Sequence, residues 1–308
     1  MDAVEIQNVT KTFGSVTAVD DLTLAVPQGS IYGFIGPNGS GKTTTMRLIA
    51  RIFHPDRGSI VVFGQPAQVR LTAIGYLPEE RGLYRKMQVR PLLEFYAELR
   101  GGHRAKAELD GWLKRFDLLR CANQKVETLS KGMSQKVQFI AAVVPVPRLL
   151  ILDEPLTGLD PVSQDLLQDA ILDLRRRGAT IILSTHDMHV AERMCDYIFM
   201  IFRGRKVLDG TLASIQDQYG TDTIRVTAED GKALWENLPG VEQIRDSGQY
   251  QELRMAPGCD AQEIVRLLLS RTRVHSFAIT KPSLHDIFVR IAGPAAEEVQ
   301  VASDPVAG

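Results

Sequence analysis

The run Gly36-Pro37-Asn38-Gly39-Ser40-Gly41-Lys42-Thr43 places three glycines, a lysine and two hydroxyls within eight residues. Residue types in this order suit the cradling of a phosphate. Glycines let backbone N–H groups curl around a β-phosphate, and the N-terminus of a following helix adds the positive end of its dipole. Lys42 then reaches the β- and γ-phosphates of a bound nucleotide, the Thr43 hydroxyl ligates Mg²⁺, and Thr44 joins the phosphate-facing first turn. The motif has this meaning only between a strand and a helix. The apolar run Ile31–Ile35 before it and the helical pattern over residues 43–53 after it supply both.

Residues 149–154, Leu-Leu-Ile-Leu-Asp-Glu, form a second constellation, an apolar strand that ends in two carboxylates. In an open parallel sheet both charges emerge at the strand's carboxyl end, the edge where phosphates bind. Asp153 is then the candidate Mg²⁺ ligand. Glu154 is the candidate base that polarises an attacking water, a role worth about 10²- to 10⁴-fold in rate. Alone, such a strand end has no more claim to chemistry than to solvation; beside the glycine loop it gains specificity. Between the two lies Leu129-Ser130-Lys131-Gly132-Met133, where Ser130 opens a helix whose N-terminal amides suit a further phosphate.

These motifs, in this order, resemble the ABC (ATP-binding cassette) ATPase family over residues 4–214, with Ser130 and Gly132 in its Leu-Ser-x-Gly signature. The resemblance closest in character is to the bacterial drug and sodium exporter branch, on residues 78–84 and 281–288. It implies that ATP is bound by residues 36–44, with Phe13 stacked on adenine, Asp160 in the D-loop and His186 as the switch histidine that donates to the γ-phosphate in the transition state. Glu79 stands where the family's Q-loop has glutamine, which implies a carboxylate near the metal in place of an amide. Met133 also departs from the usual signature residue. The resemblance further implies two partners, a separate multispan membrane permease and a second ATP-binding cassette, expected to be an identical chain. The two cassettes sandwich ATP head to tail.

Elements must position these groups. Alternating apolar residues at Val4, Ile6 and Val9, and at Leu22, Leu24 and Val26, predict an antiparallel β-layer ahead of the glycine loop. Residues 87–144 change to helical spacing and predict a helical insertion. Strands at 149–152 and 180–184, separated by a helix, follow βαβ logic and predict a parallel sheet. The fold class expected is α/β, a P-loop NTPase core with an antiparallel β-layer and a helical insertion, plus a small C-terminal α+β domain. Domain limits follow: 1–219 for the nucleotide-binding domain, 220–292 for the accessory domain, and 293–308 as a disordered tail. In the accessory domain strands are expected at 223–228, 241–246, 250–255 and 274–280, with helices at 231–238, 261–270 and 283–292.

Bulk properties exclude other classes. A formal net charge of -1 leaves no basic excess for a phosphate backbone, so no nucleic-acid partner is expected. Three scattered cysteines, Cys121, Cys195 and Cys259, lack metal-ligand spacing and fit free thiols. No apolar run approaches the roughly 20 residues of a membrane span, and the start of the chain lacks a secretory pattern. A cytoplasmic location, peripheral on the membrane through the permease, is expected. The competing reading is a soluble ABC ATPase that remodels a macromolecule, but the chain carries one cassette and neither heptads nor a basic patch. A GTPase is disfavoured because Asn123-Gln124-Lys125-Val126 is not a guanine-reading motif.

Overall fold

The computed structural model describes residues 1–66, 74–80, 82–100, 102–220, 222–229, 238–246 and 248–291. Residues 231–237 of one expected accessory helix, and the expected tail, lie outside the described residues. The chain divides into two compact units, Met1–Thr211 and Leu212–Gly308.

In the first unit, strands β1 (Asp2–Phe13) and β2 (Val16–Pro27) pair antiparallel, and β4 (Arg57–Val62) and β5 (Gln65–Pro66) complete a sheet in the order β2-β1-β4-β5. The apolar alternation points one way. Val4, Ile6, Val9, Leu22, Leu24 and Val26 are all buried. A second sheet runs in the order β10-β9-β3-β8-β7-β6, from β3 (Ile31–Ile35), β6 (Ile74–Leu77), β7 (Leu149–Asp153), β8 (Thr180–Thr185), β9 (Tyr197–Phe202) and β10 (Arg205–Gly210). All of its pairings are parallel except β9 with β10. Strands covered on both faces read as unbroken apolar runs, which is why β3, β7 and β8 are buried at every position.

Helices fill both faces of this sheet. Helix α1 (Lys42–Ile49) packs with Phe34, Phe199 and the β1–β2 layer into one apolar cluster. On the other side α2 (Val89–Arg100), α3 (Gly102–Arg115) and α4 (Lys131–Val143) form the helical insertion, its core built on Trp112, Phe116 and Phe139. Helices α5 (Pro161–Arg176) and α6 (Met188–Met194) follow β7 and β8. Helix α1 stops short of the expected residue 53. Arg51 takes a left-handed φ of 61°, and the Ile52 N–H turns back onto the Arg47 carbonyl at 2.8 Å, closing the helix with a C-terminal turn.

The second unit opens with α7 (Leu212–Tyr219), followed by an antiparallel sheet of order β12-β13-β11-β14. Its strands are β11 (Thr223–Ala228), β12 (Val241–Asp246), β13 (Gln251–Met255) and β14 (Val274–Thr280), with α8 (Ala261–Arg271) between the last two. Ile224, Val226, Leu253 and Met255 meet Ile264 and Leu268 of α8 in its core. Residues 284–291 are helical. Helix α7 goes with this unit because Gln216 donates to the Pro282 carbonyl at 2.9 Å and Asp217 pairs with Lys281, so the boundary falls before Leu212 and not after residue 219. Among the described residues, no helix is long and apolar enough to cross a membrane.

Candidate functional site

Parallel strands end together, and that brings the candidate groups to one edge. Ile35 of β3 is in register with Thr185 of β8, and Asp153 of β7 with Ser184 of β8, so the glycine loop, the carboxylate pair and His186 leave the sheet side by side. A cleft of about 370 Å³ is lined there by Ala18, Asn38, Gly39, Gly41, Lys42, Thr43, Thr44, Glu79, Asp153 and Glu154. An adjoining cleft of about 230 Å³ includes Glu154, Thr157, Ser184 and His186. Glu154 borders both.

The loop has the shape of a cradle. Gly36, Gly39 and Gly41 take φ of 147°, 75° and 111°, conformations that side chains rarely adopt. The Lys42 ammonium is buried and donates to the carbonyls of Gly36 at 2.7 Å and Pro37 at 3.0 Å, which folds the loop around its own cation. Burial lowers the Lys42 pKa, and the carboxyls of Glu154, Asp153 and Glu79 oppose that shift. The Ser40 hydroxyl is buried without a hydrogen-bond partner.

At the end of β7, Asp153 is fully buried, and its Oδ1 accepts from the Ser184 hydroxyl at 2.7 Å. Its Oδ2 has no partner. Burial pushes the Asp153 carboxyl up; the Ser184 and Thr43 hydroxyls and the Lys42 ammonium pull it down, while the Glu154 charge adds to the rise. Glu154 sits at a left-handed φ of 49°, its N–H held by the same Ser184 hydroxyl at 2.9 Å. Glu154 Oε2 accepts from Thr157 Oγ1 at 3.1 Å and lies 2.9 Å from His186 Nδ1, whereas Oε1 is buried and unpartnered. An ionised carboxylate only accepts, so the His186 proton on this contact belongs to Nδ1. The free Oε1 is placed to take a proton.

The orphaned Asp153 oxygen, next to the Thr43 hydroxyl and the Glu79 carboxyl, offers an all-oxygen donor set of the kind Mg²⁺ uses. Among the described residues no group of three or more His, Cys, Asp or Glu converges as a metal cage. Mg²⁺ takes one or two carboxylates and fills its remaining positions with water and substrate phosphates.

Four expected residues stand elsewhere among the described groups. Phe13, at the end of β1, is half exposed and meets Phe53 edge to face with ring centroids 5.3 Å apart. Ser130 caps α4, accepting from the Met133 N–H at 3.3 Å, with Gly132 in the first turn. Asp160 caps α5 through the Ser163 N–H at 3.0 Å. None of the four lines the phosphate cleft. Exposed Glu79 does line it, and Gln138 of α4 holds its backbone by donating to the carbonyls of Pro78 at 3.2 Å and Glu80 at 3.1 Å. Ala18, Thr157, Ser184 and Gln138 lie outside the motifs that the sequence marks. Only Ser184 carried a usable signal, a hydroxyl two places before His186 on a strand beside β7.

The family model described as "ABC transporter" matches residues 19–157, and that described as "ATP-binding protein DrrA1-3-like, C-terminal domain" matches residues 210–292. The chain is 40% identical over 295 residues to the ABC transporter ATP-binding protein YhaQ of Bacillus subtilis, covering 95% of this chain and 99% of that one. It is 34% identical to Nod factor export ATP-binding protein I of Sinorhizobium fredii, covering 94% of this chain and 86% of the relative. A solved structure described as an ATP-binding subunit of an ABC transporter superposes with a TM-score of 0.67 at 32% identity, over 71% of this chain and 93% of that one. Full-length identity of this order, with the loop, carboxylate pair and histidine gathered at one sheet edge, leads to one conclusion: the chain belongs to the ATP-binding subunits of ABC transporters, ATPases that power transport.

Proposed function

We propose that this subunit hydrolyses ATP with Glu154 as the general base and drives an exporter whose membrane permease is a separate chain. The observation that carries the catalytic reading is the half-satisfied Glu154 carboxylate, with Oε2 fixed by two neighbours and Oε1 buried and open. Water attacks the γ-phosphorus, its proton passes to Oε1, and the bond from phosphorus to the bridging oxygen breaks, leaving ADP with the electron pair. Lys42 and the amides of residues 36–44 hold the phosphates. Thr43, Asp153 and Glu79 are the residues to hold Mg²⁺, which when bound neutralises phosphate charge. His186 Nδ1 donates to Glu154, so its Nε2 donates to a γ-phosphate when the ring carries both protons.

Export is supported by the Nod factor export relatives. Family members act with membrane permeases and as pairs of cassettes. The pair here is read as a homodimer on the cytoplasmic face, with Ser130 and Gly132 of each chain closing the partner's nucleotide site and Phe13 stacking on adenine. The test is Glu154→Gln, which keeps the shape of the carboxylate and removes the proton acceptor. Turnover is expected to fall at least about 10²-fold, with ATP binding retained. Near-normal steady-state hydrolysis by that variant removes Glu154 from the catalytic role. Copurification of the subunit with a multispan membrane protein, and ATPase stimulation by it, tests the transport assignment.

A further inference from the structure

The geometry points to Thr157 as a positioning residue for Glu154, its hydroxyl fixing which carboxylate oxygen faces the attacking water. The inference rests on Glu154 being the base. A carboxylate's terminal torsion is broad and two-fold, so a single hydrogen bond leaves the group free to swing and to exchange its oxygens. His186 alone is a poor anchor. It sits on the segment after β8 with a side chain 60% exposed, whereas the Glu154 side chain is 8% exposed.

Thr157 supplies a second donor to the same oxygen from a different element, at 3.1 Å. Both donors on Oε2 leave Oε1 as the carboxylate oxygen of Glu154 without a partner.

The mount of that hydroxyl is rigid. The Thr157 N–H closes a turn onto the Glu154 carbonyl at 3.3 Å, and the β-branched side chain is stiff at its first torsion. Around it, Gln135 of α4 donates to the Pro155 carbonyl at 3.2 Å, and Gln164 of α5 donates to the carbonyls of Leu156 and Leu159 at 3.3 Å each. Thr157 itself is exposed to the cleft and fills no core space, so packing does not account for its hydroxyl. A group held this way limits the loss of rate that comes from a misplaced base.

Thr157→Val keeps the shape of the side chain and deletes the donor. In the full chain, kcat for ATP hydrolysis is expected to fall about tenfold, with KM and ATP affinity within about twofold of the parent. Thr157→Ser, which returns the hydroxyl, is expected to recover to within about threefold. Single-turnover measurements in a Glu154→Gln background carry the decisive comparison, because adding Thr157→Val there should change the residual rate by less than about twofold if Thr157 acts only through Glu154. Unchanged kcat in Thr157→Val overturns the inference. So does a serine variant as slow as valine, or a full further loss on top of Glu154→Gln. If Glu154→Gln itself hydrolyses ATP normally, the base assignment fails first and Thr157 with it; loss in Glu154→Gln with normal Thr157→Val leaves the base standing and removes Thr157 alone. Should Thr157→Val lose nucleotide binding and melt early, Thr157→Ala carries the same comparison.

Discussion

Two glycines of one loop do different work. A Cβ on Gly36 would meet the Ile201 carbonyl oxygen at 2.2 Å and the Ser40 hydroxyl at 2.9 Å, so backbone on the neighbouring strand blocks any side chain there. At Gly39 nothing lies within 4 Å, and only the positive φ of 75° resists substitution. Gly36→Ala is therefore expected to weaken ATP binding by at least about tenfold, because the cradle must shift off β9. Gly39→Ala should cost only the left-handed strain of about 1–2 kcal/mol, appearing mainly as lowered stability. Titration with a fluorescent ATP analogue, alongside thermal melts, checks the contrast, and equal affinity losses at the two positions would refute it. The sequence names both glycines without ranking them. The ranking comes from Ile201, a residue 165 positions away in the chain that β9 brings against the loop.

At the scale of elements, α4 and α5 show how one residue serves fold and site together. Ser130 and Asp160 are ordinary helix caps by their hydrogen bonds, yet they also stand at the helix starts that the family pattern marks for nucleotide contact. The turn between α4 and β7 carries an unforced cost. Val146, between Pro145 and Pro147, sits at φ 54°, a region that β-branched residues avoid, and its side chain is half exposed. Asparagine tolerates that conformation. Val146→Asn should therefore stabilise the protein by about 1 kcal/mol, a rise of roughly 2–4 °C in melting temperature, with unaltered ATP turnover. A lowered melting temperature would show that the valine is held by contacts that outweigh its strain. The apolar run of residues 139–152 reveals the interruption but not the sign of the torsion, which follows from how α4 must turn to enter the sheet.

For the whole molecule, the signature helix start lies outside the cleft that Lys42, Asp153 and Glu154 line, so the family's pairing of cassettes decides where it acts. In a head-to-tail homodimer each site combines the glycine loop of one chain with Ser130 and Gly132 of the other. A chain with Ser130→Arg then damages the site on its partner, and a chain with Lys42→Ala damages its own. In a mixed pair both lesions fall in one site and the other is intact. Mixing the two nearly inactive proteins should restore hydrolysis with a maximum near equal ratios. No recovery, with mixed dimers shown to form, would mean that both sites must fire together or that the sites are not shared. Cysteines placed at Ser40 and Ser134 and crosslinked across chains would separate those outcomes.

The proposed chemistry is legible along the chain because a phosphate loop is a matter of local order: the glycines, Lys42 and Thr43 fall within eight consecutive residues, and Asp153-Glu154 end an apolar strand that the fold buries. Strands of the second unit are legible as well, since β11, β12 and β14 run over the expected residues 223–228, 241–246 and 274–280. Which neighbours fix those groups follows from the folded sheet. Ser184 joins Asp153 to the Glu154 backbone, Thr157 and His186 share one carboxylate oxygen, and Gln138 pins the segment that bears Glu79. Apart from Thr157, these partners reach their targets from another strand, another helix or the segment after β8. Hydrogen bonds between distant segments leave no periodicity in the chain, because they depend on the order and register of parallel strands and not on the spacing of residues along any one of them.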